Sequence, residues 1–223
     1  MNQEGSLHEI FAQYPNSGLL SQVASLVHED LEQLRYEIEK FLEFADSSQN
    51  VKKKLPLILI NFSSKFSARC DQIQETEIIE FSKGTLLMFL GLFNLLMSKP
   101  SFLPKIGNSK IETENSFKLS DIPTATEDFE KNIIKPKCEI RSSYALVMTK
   151  LSIFYIFAHE LAHLRRGHLS IRENPAITSS EITVSEEARE NKELIELDAD
   201  SVACNLCLLY LNQIQKKQRN ILT

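Results

Sequence analysis

The chain has no excess of positive charge, no apolar run long enough for a bilayer, no cysteine framework and no internal repeat. Each absence removes a class of function. Its 30 acidic side chains outweigh 25 basic ones, for a net charge of -5 over 223 residues. A protein that grips nucleic acid or an anionic lipid surface presents a basic field, so neither is expected as a partner. The short basic clusters, Lys52 to Lys54 and Arg165 with Arg166, read as solvated faces or helix ends. The longest uncharged apolar stretch is GTLLMFLGLFNLLMS, Gly84 to Ser98. It falls short of the ~20 residues that cross a bilayer, so a buried core helix is expected there and no membrane span. The opening MNQEGSLHEI lacks the basic and apolar regions of a secretory signal. The four cysteines (Cys70, Cys138, Cys204, Cys207) have neither disulfide-scaffold nor zinc-ribbon spacing. Cys204 and Cys207 form a lone C-x-x-C inside a helical pattern, expected as buried reduced thiols. A cytoplasmic location is the expectation.

What remains is an ordinary globular composition, 43% apolar and 25% charged, which suits one domain over residues 1–223. Leu20, Val23, Val27, Leu31, Leu34, Ile38 and Phe41 step by three and four, the mark of an amphipathic helix. LPLILINFS, Leu55 to Ser63, reads as a strand or short buried helix, and Ile73 to Phe81 as a second strand. Gly84 then punctuates the start of the apolar helix, which completes an N-terminal part over 1–98. Prolines 100, 104, 123 and 136, with Gly107, break up a polar stretch expected to be an irregular insertion or flap, over about 99–140. Tyr144 to about Arg166 reads as one interior helix, with Gly167 as its stop signal. A polar loop with Pro175 follows, and a last helix runs from near Ser185 to about Lys216, so that 141–216 holds two long helices.

The chemistry sits in His159-Glu160-Leu161-Ala162-His163. Helix residues four apart share a face about 6 Å apart along the axis, so two imidazoles can converge on one Zn²⁺ at roughly 2.0–2.1 Å each. Glu160, one residue on, falls beside the metal, where a carboxylate can take a proton from bound water and return it to a leaving amine. A catalytic zinc needs a third protein ligand and one open position. Glu193 and Glu196 are both candidates on the last helix. Glu196 is preferred because Asp200, four residues on, can accept the other N–H of a ligating histidine and fix its tautomer. Ala199 and Ala203 would let the two helices approach closely. His168 is a possible accessory residue, and its spacing with Gly167 does not fit a metzincin. Tyr144, Tyr210 and His168 are the candidates for steadying an oxyanion.

HELAHLRRGH followed by ELDAD resembles the gluzincin pattern, HExxH with a downstream ExxxD, and in particular the HtpX-type, ImmA/IrrE-type and phage-exclusion Lit peptidase families. The resemblance covers Tyr144 to about Leu209, and IIEFSKGTLLMFL upstream is similar to the strand and helix that precede the zinc helix in such enzymes. HtpX-type enzymes have transmembrane helices that find no counterpart here. The resemblance implies one zinc per chain, His159, His163 and Glu196 as ligands, Glu160 as general acid and base, and Asp200 behind the ligands. It also implies hydrolysis of peptide bonds in a protein or peptide substrate, by analogy one specific intracellular protein. The expected fold is α+β and predominantly helical, a zincin-like domain with a small sheet beside the zinc helix, and substrate added as a strand along Ile73 to Phe81. The competing expectations are a zinc-binding regulatory module without turnover, and a helical structural protein in which the HExxH is incidental.

Overall fold

The computed structural model describes residues 32–113, 133–172 and 186–221. The fold is α+β and predominantly helical, with one three-stranded sheet. Helix α1, Glu32–Ser48, buries Leu34, Ile38, Phe41, Leu42 and Ala45, the three-and-four spacing read from the sequence. It continues past Phe41, while the expected start at Leu20 lies outside the described residues.

Three strands follow: β1 Leu57–Asn61, β2 Ala68–Ile73 and β3 Thr76–Ser82. Two expectations need correcting here. Ile73 to Phe81 is not one strand, because Gln74, with a left-handed φ of 56°, turns the chain between β2 and β3. Nor is it an edge. The sheet order is β1-β3-β2, with β3 central, parallel to β1 and antiparallel to β2. Ile58, Cys70, Ile79 and Phe81 are buried, and Leu57, Leu59, Arg69 and Asp71 are exposed, as strand alternation requires. Residues 62–67 therefore cross the end of β3. Gly84 N–H donates to the Ser63 carbonyl at 2.8 Å, and a Cβ on Gly84 would stand 2.2 Å from the Ser64 carbonyl oxygen. Only glycine fits that crossing.

Ser82 caps helix α2, Lys83–Met97, by accepting from Thr85 N–H at 3.1 Å. The segment after it, expected to be irregular, is built around Arg141. This fully buried guanidinium donates to the carbonyls of Met97, Lys99, Phe102, Leu103 and Ile106 at 2.7–3.0 Å. Glu112 lies 3.8 Å from the same guanidinium and accepts from the N–H groups of Lys137 and Cys138. The turns up to Glu112, including a 3-10 turn at Ser109–Ile111, are thereby tied to the next helix. The rest of the expected insertion lies outside the described residues.

Helix α3, Glu139–Arg165, starts earlier than Tyr144 and ends before Gly167, whose φ of 71° takes the left-handed conformation that stops a helix. By length and composition α3 would also cross a bilayer. Here it packs on α2 along its first half and on α5 along its second. A short helix α4, His168–Arg172, turns back from it, and α5 runs over Glu186–Ile221. The polar loop containing Pro175, and Ser185, lie outside the described residues. Ala199 and Ala203 are fully buried where α5 meets α3, the close approach that small side chains permit. Phe41 stacks on Phe154 at 4.7 Å, and Tyr210 closes on both rings edge-on. Rings arranged this way add about 0.5–1.5 kcal/mol per pair to the area they bury.

The C-terminal end of α3 is anchored by Arg165. Its guanidinium donates to both oxygens of Asp46 on α1, at 2.9 and 2.8 Å, and to Glu77 on β3. Burial works against its charge, but these two carboxylates hold its pKa above the ordinary value. The helix end carrying His163 is thus fixed against both the sheet and α1.

Candidate metal centre

His159, Glu160 and His163 lie on the last two turns of α3, where it passes beneath the sheet, and Glu196 faces them from α5. Three atoms turn inward. His159 Nε2 is 3.0 Å from His163 Nε2 and 3.2 Å from Glu196 Oε2, and His163 Nε2 is 3.5 Å from Glu196 Oε2. Donors held at 2.0–2.1 Å around a tetrahedral zinc stand about 3.3–3.4 Å apart. The circle through these three atoms has a radius of about 1.9 Å, just inside one zinc–ligand bond, so a single ion lies within reach of all three. With both rings protonated on Nδ1, these three atoms turn lone pairs toward one another, an arrangement that a cation between them relieves. Two imidazoles and a carboxylate suit zinc, and other divalent transition metals by the usual affinity order.

Each histidine is oriented from behind. His159 Nδ1–H donates to Asp200 Oδ1 at 2.9 Å, which leaves Nε2 free to ligate. Tyr155 donates its hydroxyl to the same oxygen at 2.8 Å. Burial first, and then the Asp200 carboxylate, raise the Tyr155 pKa well above its ordinary value, so the hydroxyl keeps its proton. His163 is fully buried, and its Nδ1 lies 3.0 Å from His168 Nδ1. His168 Nε2 lies 3.3 Å from Asp198 Oδ2. The consistent assignment has His163 donating to His168 and His168 donating to Asp198, which again leaves the His163 Nε2 lone pair on the inward side. The centre is therefore closed behind His163 and opens to solvent at Glu196, which is about a third exposed.

Glu160 is buried beside this cluster. Its Oε2 is shut off from solvent and has no hydrogen-bond partner among the described residues. A buried carboxylate oxygen without a donor is costly, about 1–3 kcal/mol, and a catalytic role is one reason for a fold to keep one.

The expected residues sort cleanly. His159, His163, Glu196 and Asp200 come together as read. Glu193 does not: it points to solvent and pairs with Arg189 at 3.6 Å. Of the oxyanion candidates, Tyr144 sits fifteen residues before His159 on the same helix, about 22 Å away. Tyr210 belongs to the aromatic core, and His168 is committed to His163. Tyr155 and Asp198 are the site residues that the sequence reading missed. Tyr155 was within reach, since 155, 159 and 163 form one four-residue stripe on α3. The thiols also need correcting. All four cysteines are free, but Cys204 is exposed and Cys207 only partly buried. Burial, then the neighbouring Cys204, push the Cys207 thiol up to about 12.

Compared with models of known protein families, with curated proteins and with solved structures, the chain matches none.

Proposed function

We propose that this chain is a zinc-dependent peptidase, with His159, His163 and Glu196 holding one zinc ion. The observation that carries the reading is the triangle of three ligand atoms drawn from two helices, with both histidine tautomers set by hydrogen bonds behind them. When bound, zinc supplies Lewis acidity, which polarises a carbonyl and makes water a better nucleophile near neutral pH. Glu160 accepts the proton of the attacking water and delivers it to the leaving nitrogen as the C–N bond breaks, giving a carboxylic acid and an amine. Its buried, undonated Oε2 suits a group that gains and loses a proton in each turnover. Asp200, Tyr155, His168 and Asp198 orient the ligands and take no part in bond making.

The substrate site follows from the sheet. Among the described residues no strand pairs with the outer edge of β2, and of the three strands β2 has the most extensive packing on α3. An extended protein or peptide segment added along β2 would run beside the zinc helix, with main-chain hydrogen bonds fixing its register. This replaces β3, the strand expected to serve.

The test is zinc content per chain after purification without added metal, for the wild type and for His163→Ala and Glu196→Gln. About one zinc in the wild type, lost in both variants, supports the ligand set. Hydrolysis of a mixed peptide library by the loaded wild type, abolished by Glu160→Gln with zinc retained, then separates a peptidase from a metal-binding module without turnover. A wild type that cannot be loaded with zinc defeats the reading and leaves the HExxH incidental.

A further inference from the structure

The outer face of α5, opposite the side it buries, carries an apolar seam. Leu194, Leu197 and Leu208 are 62%, 64% and 56% exposed, Ser201 and Cys204 between them are exposed, and Leu211 is partly so. The six positions 194, 197, 201, 204, 208 and 211 alternate steps of three and four, the a and d positions of two and a half heptads. The order of side chains along them is Leu, Leu, Ser, Cys, Leu, Leu, which reads the same in apolar character from either end. An antiparallel pair of such helices meets in layers that join an a position to a d position. Leu194 would face the second copy's Leu211, Leu197 its Leu208, and Ser201 its Cys204. Leucine layers then close both ends, and the small central pair lets the backbones approach.

Charge selects the same arrangement. From Glu186 to Asp200 the sequence has seven acidic and two basic residues, and from Ser201 to Ile221 three basic and none acidic. Parallel pairing would set acidic half against acidic half. Antiparallel pairing keeps the two acidic halves apart and brings the basic end, Lys216 to Arg219, level with the acidic start, Glu186 and Glu187, of the second copy. From this self-complementary seam and its charge polarity we infer that α5 is a homodimer interface, in which two copies of this chain pair antiparallel about a two-fold axis between Ser201 and Cys204. Two and a half heptads make a small interface, at or below the ~1,200 Å² of transient complexes, so the dimer forms and dissociates with concentration. Glu196 lies off the seam, and pairing leaves the metal-ligating face of α5 in place. The inference therefore stands apart from the peptidase reading.

The test is sedimentation equilibrium of the full chain from about 1 µM to about 500 µM, the range in which a small interface of this kind saturates. The wild type is expected to pass from the mass of one chain to that of two. Leu197→Glu alone and Leu208→Lys alone should each stay at one chain. Both positions are exposed, so far-ultraviolet circular dichroism should be unchanged. The two substitutions in one chain should restore the dimer, because Glu at 197 then meets Lys at 208 of the second copy. A wild type of one-chain mass at the top concentration overturns the inference, and means that another segment or partner covers the face or that nothing does. A wild-type dimer that the double variant fails to restore overturns the antiparallel seam.

Discussion

Replacing His168 by alanine probes how far the proposed metal centre depends on the groups behind its ligands. In the wild type His163 is fully buried and its Nδ1 reaches His168 at 3.0 Å, with Asp198 at 3.3 Å beyond. A ring that ligates through Nε2 must carry its proton on Nδ1, and alanine at 168 takes away the acceptor of that buried N–H. Such a loss costs about 1–3 kcal/mol. The metal-free ring can relieve it by changing tautomer, but the ligating ring cannot, so most of the cost appears as lost metal affinity. At about 1.4 kcal/mol per decade this is a weakening of roughly tenfold to a hundredfold, the usual range for groups one step behind a ligand. Competition with a chromophoric chelator measures it directly, with thermal unfolding of the metal-free proteins to check that the variant is folded. His168→Gln is the companion. Its amide oxygen can accept from His163 and its NH₂ can donate to Asp198, so affinity should return to within a few-fold of wild type. Alanine binding zinc within twofold of wild type, or glutamine binding no better than alanine, would refute the assignment of His168 as the orienting group.

Three further outcomes follow from the packing. Arg141→Met should destabilise the protein by about 4 kcal/mol, the scale for removing one member of a buried charged network, because five carbonyls and Glu112 lose their common partner. Chemical denaturation reads the loss, and hydrogen exchange should locate it in residues 97–112; a change under about 1 kcal/mol would contradict the hub. Gly84→Ala should cost about 3 kcal/mol, since the added Cβ meets backbone of the 62–67 crossing and no side chain can move aside. In alkylation at pH 8 and about 1 µM protein, where the chain is expected as a monomer, Cys204 should react and Cys207 lag by at least an order of magnitude, because the Cys207 thiol is pushed up to about 12 and little thiolate is present until the pH approaches that value. Mass spectrometry of timed digests gives the order, and equal rates would count against the burial of Cys207.

The residues that the sequence made legible are those whose geometry is set within one helix. His159 with His163, and Glu196 with Asp200, are pairs four apart, and helical periodicity alone places each pair on one face. Asp198 was not legible, because it is turned from that pair and meets the site only through His168 on α4, whose direction depends on the turn at Gly167. β2 was missed because its inward side is largely Cys70, while Arg69, Asp71 and Gln72 give it the composition of a loop. What holds the irregular residues 97–112 was not legible for a related reason: nothing local does, and the side chain that does, Arg141, lies some 35–44 residues further on. The helical α+β class needed only periodicity and was legible throughout.

Arg165 has a consequence for how the chain comes to be folded during synthesis. Its partners Asp46 and Glu77 lie 119 and 88 residues earlier. The β2–β3 hairpin can close as soon as it leaves the ribosome, but α1 and the sheet must wait for residue 165 before they are locked to α3. Until then Glu77 has only Lys53, Asp46 lacks its guanidinium, and both elements keep an uncovered apolar face, so this long-range joint also sets a period in which the nascent chain is open to aggregation or to a chaperone.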